Sequence, residues 1–278
     1  MTAPGRGAAG IEYLAVPSAA VREAAVRAGL GIHGGLFGSL GALLSPRERD
    51  AAVRFKRPAD QLDYAASHAL FRLLAVRRLG LSPADAAGLD VGRTCAGCGS
   101  TGHGKPSIEG VALSMSRSHG TVLAASAPAG TSLGADIERV PAHVFEGFDD
   151  FVLAPEDRTG PEGAGLGSRQ LTGPELTDAG RIRWWVAKEA ALKAAGVGLA
   201  LDPSSVRLVP SCSGGTGGTS GAAGPAGSLL AECAGNSAVH GLLVTPVPAP
   251  DGYAAAIAAP VGLSARASSF AEIFATKP

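Results

Sequence analysis

Two stretches of the chain carry side chains whose types and spacing suit chemistry. Gly134-Ala135-Asp136-Ile137-Glu138 sets two carboxylates at i and i+2. On a strand those side chains share a face about 7 Å apart, with Ile137 on the other side. Carboxylates so placed repel unless a cation lies between them, and a divalent ion with oxygen ligands answers that need. The second stretch is Trp184-Trp185-Val186-Ala187-Lys188-Glu189-Ala190-Ala191-Leu192-Lys193-Ala194-Ala195-Gly196. Its Ala, Leu, Lys and Glu are strong helix formers, and Gly196 stands where a cap glycine belongs. At helical spacing Trp185, Glu189, Leu192 and Gly196 fall on one stripe, so Glu189 sits in an apolar face with Lys193 at i+4. A carboxylate buried there is costly unless it is protonated, paired or bound to a cation. Taken alone, Asp-x-Glu reads as the exposed face of an edge strand, and Glu189/Lys193 as a surface ion pair. Taken together, they favour a three-carboxylate metal site of Asp136, Glu138 and Glu189. Mg2+ characteristically uses such carboxylates with substrate phosphates.

Other segments supply cationic and polar groups. Gly104-Lys105-Pro106 places a lysine at the end of a loop, fixed by the following proline. Ser116-Arg117-Ser118 is expected in the connection between two strands, where hydroxyls and a guanidinium suit phosphate oxygens. Cys95-Ala96-Gly97-Cys98 with His103 is a partial zinc pattern. A structural zinc site takes four ligands, and Cys212 and Cys233 are too separated to form a second knuckle. A zinc module on Cys95, Cys98 and His103 therefore ranks below a reduced cysteine pair in a turn-rich loop.

The elements that must position these groups read as follows. Residues 11–16 are strand-like and 19–28 helical, and the glycine-rich 29–41 is a loop. Ser45-Pro46-Arg47-Glu48 opens a helix, with a Ser cap, Pro in the first turn and Glu three residues on. That helix runs to about residue 55, and a second spans about 61–79, ended by Gly80. Residues 93–106 form a loop; 111–115, 121–127 and 132–140 are strands. Apolar residues at helical spacing predict a helix over 144–153, and Pro155 opens another. Residues 159–180 read as a Gly- and Pro-rich loop, 206–209 as a strand, and 211–227 as a low-complexity Gly/Ser/Ala insert. Residues 239–247 and 253–259 form a hairpin. The tail from residue 263 gives no clear signal.

The 278 residues suffice for one large domain or two small ones. A net charge of zero argues against an extended nucleic-acid footprint. No apolar run approaches the ~20 residues of a membrane span, and residues 1–10 lack a signal-peptide core. A soluble, cytoplasmic protein with no membrane partner is expected. Segregated helices and strands predict an α+β fold of two similar halves.

In order and spacing, these motifs resemble the Sfp-type 4'-phosphopantetheinyl transferases. The correspondence runs through Gly104-Lys105-Pro106, Ser116-Arg117-Ser118, Gly134-x-Asp136-x-Glu138 and Trp185-x-x-Lys188-Glu189 with Lys193, over about residues 45–200. The resemblance implies a monomer of two halves related by a pseudo-twofold, residues 1–130 and 131–278, with the active site between them. It implies transfer of the phosphopantetheine arm of coenzyme A to a serine of an apo acyl or peptidyl carrier protein. Holo carrier and adenosine 3',5'-bisphosphate would be the products. Asp136, Glu138 and Glu189 would bind Mg2+, Glu189 would serve as base for the serine, and Lys193 would neutralise the departing phosphate. Lys105, Pro106, Ser116 and Arg117 would hold coenzyme A, and Phe145, Phe148 and Phe151 are candidates for carrier docking, at least one of them core. Two positions depart from the family pattern. Arg117 stands where the family's turn usually has histidine, and Gln61 follows Asp60 where related sequences often have arginine. Arg54, Lys56 and Arg57 are nearby replacement cations, Arg54 being counted with the coenzyme A residues. The alternative function is a non-catalytic relative that binds coenzyme A or carrier proteins without turnover.

Overall fold

The computed structural model describes residues 10–30, 38–94, 97–102, 104–158, 177–211 and 227–275. It is a mixed α+β fold that divides into two compact units. One comprises Met1–Thr131 with Ala265–Pro278, the other Ser132–Ser264.

The first unit contains β1 (Ile11–Pro17), α1 (Ser18–Arg27), α2 (Pro46–Ala52), α3 (Pro58–Leu79), β2 (Gly92–Thr94), β3 (Lys105–Ser107), β4 (Val111–Ser118) and β5 (Thr121–Pro128). α2 starts on the expected capping box. The Ser45 side chain accepts from the Glu48 N–H at 3.3 Å, and the Glu48 carboxylate accepts from the Ser45 N–H at 2.9 Å. It stops at Ala52, three residues before the expected end. The Phe55 carbonyl is instead taken by the Gln61 amide at 2.7 Å, and Pro58 disfavours a helical conformation at Arg57. α3 is buried along most of its length, packs on β4 and β5, and ends at Gly80 in the left-handed conformation. Residues 93–106, expected to be loop throughout, contain the ends of a short β2–β3 ladder pairing Arg93 with Pro106 and Thr94 with Lys105.

The second unit contains β6 (Gly134–Arg139), α4 (Phe148–Val152), α5 (Pro155–Arg158), α6 (Asp178–Ala195), β7 (Arg207–Pro210), β8 (Leu229–Glu232), β9 (Leu243–Pro246) and β10 (Tyr253–Ala259). Its sheet runs β6-β10-β9-β8-β7. α6 packs on β6 and β10. Its N-terminus reaches into the stretch read as loop, because the Thr177 side chain caps it by accepting from the Gly180 N–H at 3.1 Å. α4 is shorter than the pattern of 144–153 predicts: Gly147 before it is left-handed, so the helix begins only at Phe148. The insert residues 212–226 and the loop residues 159–176 lie outside the described residues.

The tail that gave no sequence signal is ordered as β11 (Ala265–Ala267) and α7 (Phe270–Phe274). β11 pairs in parallel with β1, completing the first unit's sheet in the order β11-β1-β5-β4. Residues 265–275 therefore belong with the first unit and not with residues 132–264. The physical reason is a shared core and a charge network. Ile273 is buried among the first unit's apolar side chains. Arg266 reaches Glu12 at 2.9 Å, and Arg77 donates to the Glu272 carbonyl at 2.6 Å. No described helix is long and apolar enough to cross a membrane. Ile273→Ala should lower stability by ~2–4 kcal/mol; a urea melt showing less than ~0.5 kcal/mol would mean that the tail is not integral to the unit.

Candidate active site

The second unit's acidic site begins with a glycine. Gly134, Asp136 and Glu138 alternate along β6 and share one face. A side chain at Gly134 is excluded: a Cβ there would lie 1.9 Å from the Ala190 carbonyl oxygen and 2.4 Å from the Ala194 nitrogen. α6 thus rests directly on the strand backbone. Glu189 and Lys193 flank the small residues Ala190 and Ala194, so the close approach brings them to the acids of β6. Lys193 Nζ donates to Asp136 Oδ1 at 2.5 Å, and Asp136 is 2% exposed. Glu189 is also buried, and among the described residues its Oε1 has no hydrogen-bond partner. Burial pushes its carboxyl up to about 7; Lys193 opposes the shift, while the charges of Asp136 and Glu138 add to it.

The structure therefore brings Asp136, Glu189 and Lys193 together and couples Glu138 to Glu189 electrostatically. Among the described residues, no three His, Cys, Asp or Glu side chains are gathered as a ready metal cage. The Lys193 ammonium sits on Asp136 and acts as its counter-ion. The donor set nonetheless fits a hard cation. Three carboxylates interact, and one has a buried, unsatisfied oxygen.

Lys188, next to Glu189, does a different job. It is fully buried, donates to the Val152 carbonyl at 2.5 Å and the Pro203 carbonyl at 3.2 Å, and lies over the Trp184 ring. It ties α6 to the end of α4 and to the turn at Pro203. Of the three phenylalanines, Phe148 is core, while Phe145 and Phe151 are 59% and 41% exposed. Phe145 lies 6.3 Å from Phe151, which lies 5.7 Å from Trp185, so the exposed rings form one patch.

Of the expected cationic residues, Arg54 lines a cleft of the first unit, and Arg117 lies over Tyr64, a residue of the same wall. Ser116 and Arg117 lie on β4, opposite Leu123 and Val122, and not in the strand connection as expected. The connection is a two-residue turn, His119-Gly120, with both residues at positive φ (43° and 88°), as a type I′ turn requires. It is pinned from both sides. The Gly120 N–H donates to Asp63 at 2.8 Å, and its carbonyl accepts from the Ser18 N–H at 2.8 Å. Arg117 lies over the Phe55 and Tyr64 rings, 5.6 and 5.2 Å from their centroids. Tyr64, Arg54, Arg47 and Arg93 line a cleft of about 670 Å³. Lys105 and Pro106 stand on β3, opposite Thr94 and Arg93 of β2, and burial pushes the Lys105 pKa down.

One wall of this cleft was not anticipated. Glu48 accepts from Arg72 at 2.7 Å and lies 3.0 Å from the His68 ring. Burial alone would raise its carboxyl, but His68 and Arg72 override that and hold it at about 2. Tyr64 stacks on His68 at 4.2 Å. The available signal was spacing: Tyr64, His68 and Arg72 recur at i+4 along α3. Cys95 and His103 lie outside the described residues, and Cys98 is exposed.

No family model matches the chain, and no curated protein matches it.

Two outcomes follow for the acidic site. Gly134→Ala should cost about 3 kcal/mol, because the displaced groups are backbone; a wild-type melting curve would contradict the close approach. Glu189 has a folded-state pKa of about 7, above its ordinary 4.5. The metal-free protein should therefore lose stability as pH rises from about 4.5 to 7, the unfolded chain giving up this proton more readily. Glu189→Gln removes that loss. Its advantage over wild type in metal-free buffer should be small at acid pH and reach up to ~3 kcal/mol near pH 8. An equal difference at both pH values would mean that the carboxyl is not perturbed.

Proposed function

We propose that the chain is an Sfp-type 4'-phosphopantetheinyl transferase, moving the phosphopantetheine arm of coenzyme A to a carrier-protein serine. The observation that carries this reading is the buried Glu189, near neutrality and beside Asp136 and Lys193. The surrounding motifs occur in the family's order. A buried carboxylate left short of hydrogen bonds is suited to accept a cation or a proton. The proposed pseudo-twofold fold is supported by internal likeness: in each unit one long helix packs on antiparallel strands, α3 on β4 and β5, α6 on β6 and β10.

Asp136, Glu138 and Glu189 would hold Mg2+, which would supply charge neutralisation at the pyrophosphate. Lys193 would leave Asp136 and place its ammonium where negative charge develops on the departing bisphosphate. Glu189, directly or through a water, would take the proton from the serine hydroxyl. The serine oxygen then bonds to the phosphorus that carries pantetheine. The bond from that phosphorus to the bridging oxygen breaks, releasing adenosine 3',5'-bisphosphate. Arg54, Lys105, Pro106, Ser116 and Arg117 would hold coenzyme A, with the cleft's Arg47 and Arg93 as further cations. The exposed Phe145 and Phe151 would meet the carrier. A cytoplasmic monomer is part of the same reading. The alternative, a coenzyme A or carrier binder without turnover, is favoured by the Lys193–Asp136 pair and by the lack of a ready metal cage among the described residues.

Incubation with coenzyme A, Mg2+ and a panel of apo carriers tests both. Intact-mass analysis should show the added phosphopantetheine arm on at least one carrier, with chelation abolishing it. Glu189→Ala and Asp136→Ala should reduce the rate at least 100-fold while the proteins remain folded. Coenzyme A binding without any mass shift would select the binder, and full activity in either variant would remove the carboxylate site from the chemistry.

A further inference from the structure

We propose that Gln61, Phe55 and Tyr64 form a positioning bed that presents the Arg117 guanidinium to a phosphate group of the ligand. The ligand is coenzyme A if the transferase reading holds, and the inference rests on that reading only for this name.

The Arg117 side chain lies over two rings, and Asp63 and Asp60 act on it electrostatically. Among the described residues, no carboxylate lies within ion-pair distance of it. A guanidinium laid on aromatic faces keeps its N–H edge available, and that planar edge matches phosphate bidentately. The rings are themselves fixed. Phe55 and Tyr64 lie 5.3 Å apart, tilted by 41°. Tyr64 is backed by the stacked His68, which is held by Glu48. Phe55 sits in the turn between α2 and α3, where its carbonyl accepts from the buried Gln61 amide at 2.7 Å. Tyr64 also lines the cleft with Arg47, Arg54 and Arg93 and with the acids Asp50 and Asp90, so the guanidinium borders a wall that offers further arginines among acids.

This arrangement joins two features that the sequence presents as unrelated. Gln61 is not a lost cation of the cleft; it anchors the ring on which Arg117 rests. Arg117 needs that bed, since a long side chain on an exposed strand position otherwise samples many rotamers.

Calorimetric binding of coenzyme A, adenosine 3',5'-bisphosphate and inorganic pyrophosphate to the full chain tests the inference. Thermal melts monitor folding. Arg117→Gln should weaken at least one probe, and Phe55→Leu should weaken the same probe about tenfold. Phe55→Trp should retain affinity because it keeps a ring, and Gln61→Leu should weaken the probe in the same direction. In the Arg117→Gln background, Phe55→Leu should cause no further loss. A loss confined to the bisphosphate would place the guanidinium at the 3'-phosphate; a loss with pyrophosphate would place it at the diphosphate. Multiplying losses, or unchanged affinity in Phe55→Leu beside a weakened Arg117→Gln, would overturn the bed. So would the absence of binding of any probe. Coupled binding without transfer to any carrier would defeat the transferase and leave this inference standing. Transfer without coupling would do the reverse.

Discussion

The second unit depends on one steric fact: there is no room for a side chain between β6 and α6 at Gly134. The Ala190 carbonyl and the Ala194 nitrogen occupy that space. Small residues on the helix and none on the strand let the two backbones touch. That contact determines what lies beside it. Glu189 and Lys193 flank the contact residues on the helix, and Asp136 and Glu138 follow Gly134 on the same strand face. The Lys193–Asp136 ion pair and the raised Glu189 carboxyl are consequences of that distance. A bulkier residue at position 134 would separate the charges before altering any of them.

The molecule buries several charges, and it treats them in opposite ways. Glu48 is surrounded by donors from Arg72, His68 and the Ser45 N–H, and its carboxyl is held at about 2. Lys188 is enclosed by two carbonyls and a ring. These groups are satisfied and tie helices to neighbouring turns. Glu189 is treated otherwise: among the described residues one of its oxygens has no hydrogen-bond partner, and two acidic neighbours raise its carboxyl. A buried group left unsatisfied beside satisfied ones is where a ligand or a proton is expected to enter.

The first unit shows the same economy with aromatic rings. Tyr64 contacts His68 on one side and carries Arg117, and it also forms part of the cleft wall. One residue of α3 therefore links the buried Glu48 network to the Arg117 guanidinium. The His119-Gly120 turn, pinned by Asp63 and Ser18, fixes the end of the strand on which Arg117 stands.

Sequence alone determined the elements with strong local signals. The cap of α2 at Ser45, the glycine ends of α3 and α6, and the β6 alternation each follow from adjacent residues. So does the expectation that Glu189 would lie in an apolar face. Tertiary structure decided what depends on partners far along the chain. β11 has only three residues, and it is a strand because β1 lies beside it. The Ser269/Glu272 capping box of α7 was readable, but its membership of the first unit rests on Ile273 and Arg266 finding partners more than 100 residues away. Ser116 and Arg117 looked like loop because polar residues favour turns, yet the ladder with β5 carries them to Ser118. Gln61 looked like a missing cation because residue type reports charge and not direction; its amide turned out to face the Phe55 carbonyl. Local chemistry fixes caps, periods and turns, whereas the pairing of buried charges requires the distances that only folding sets.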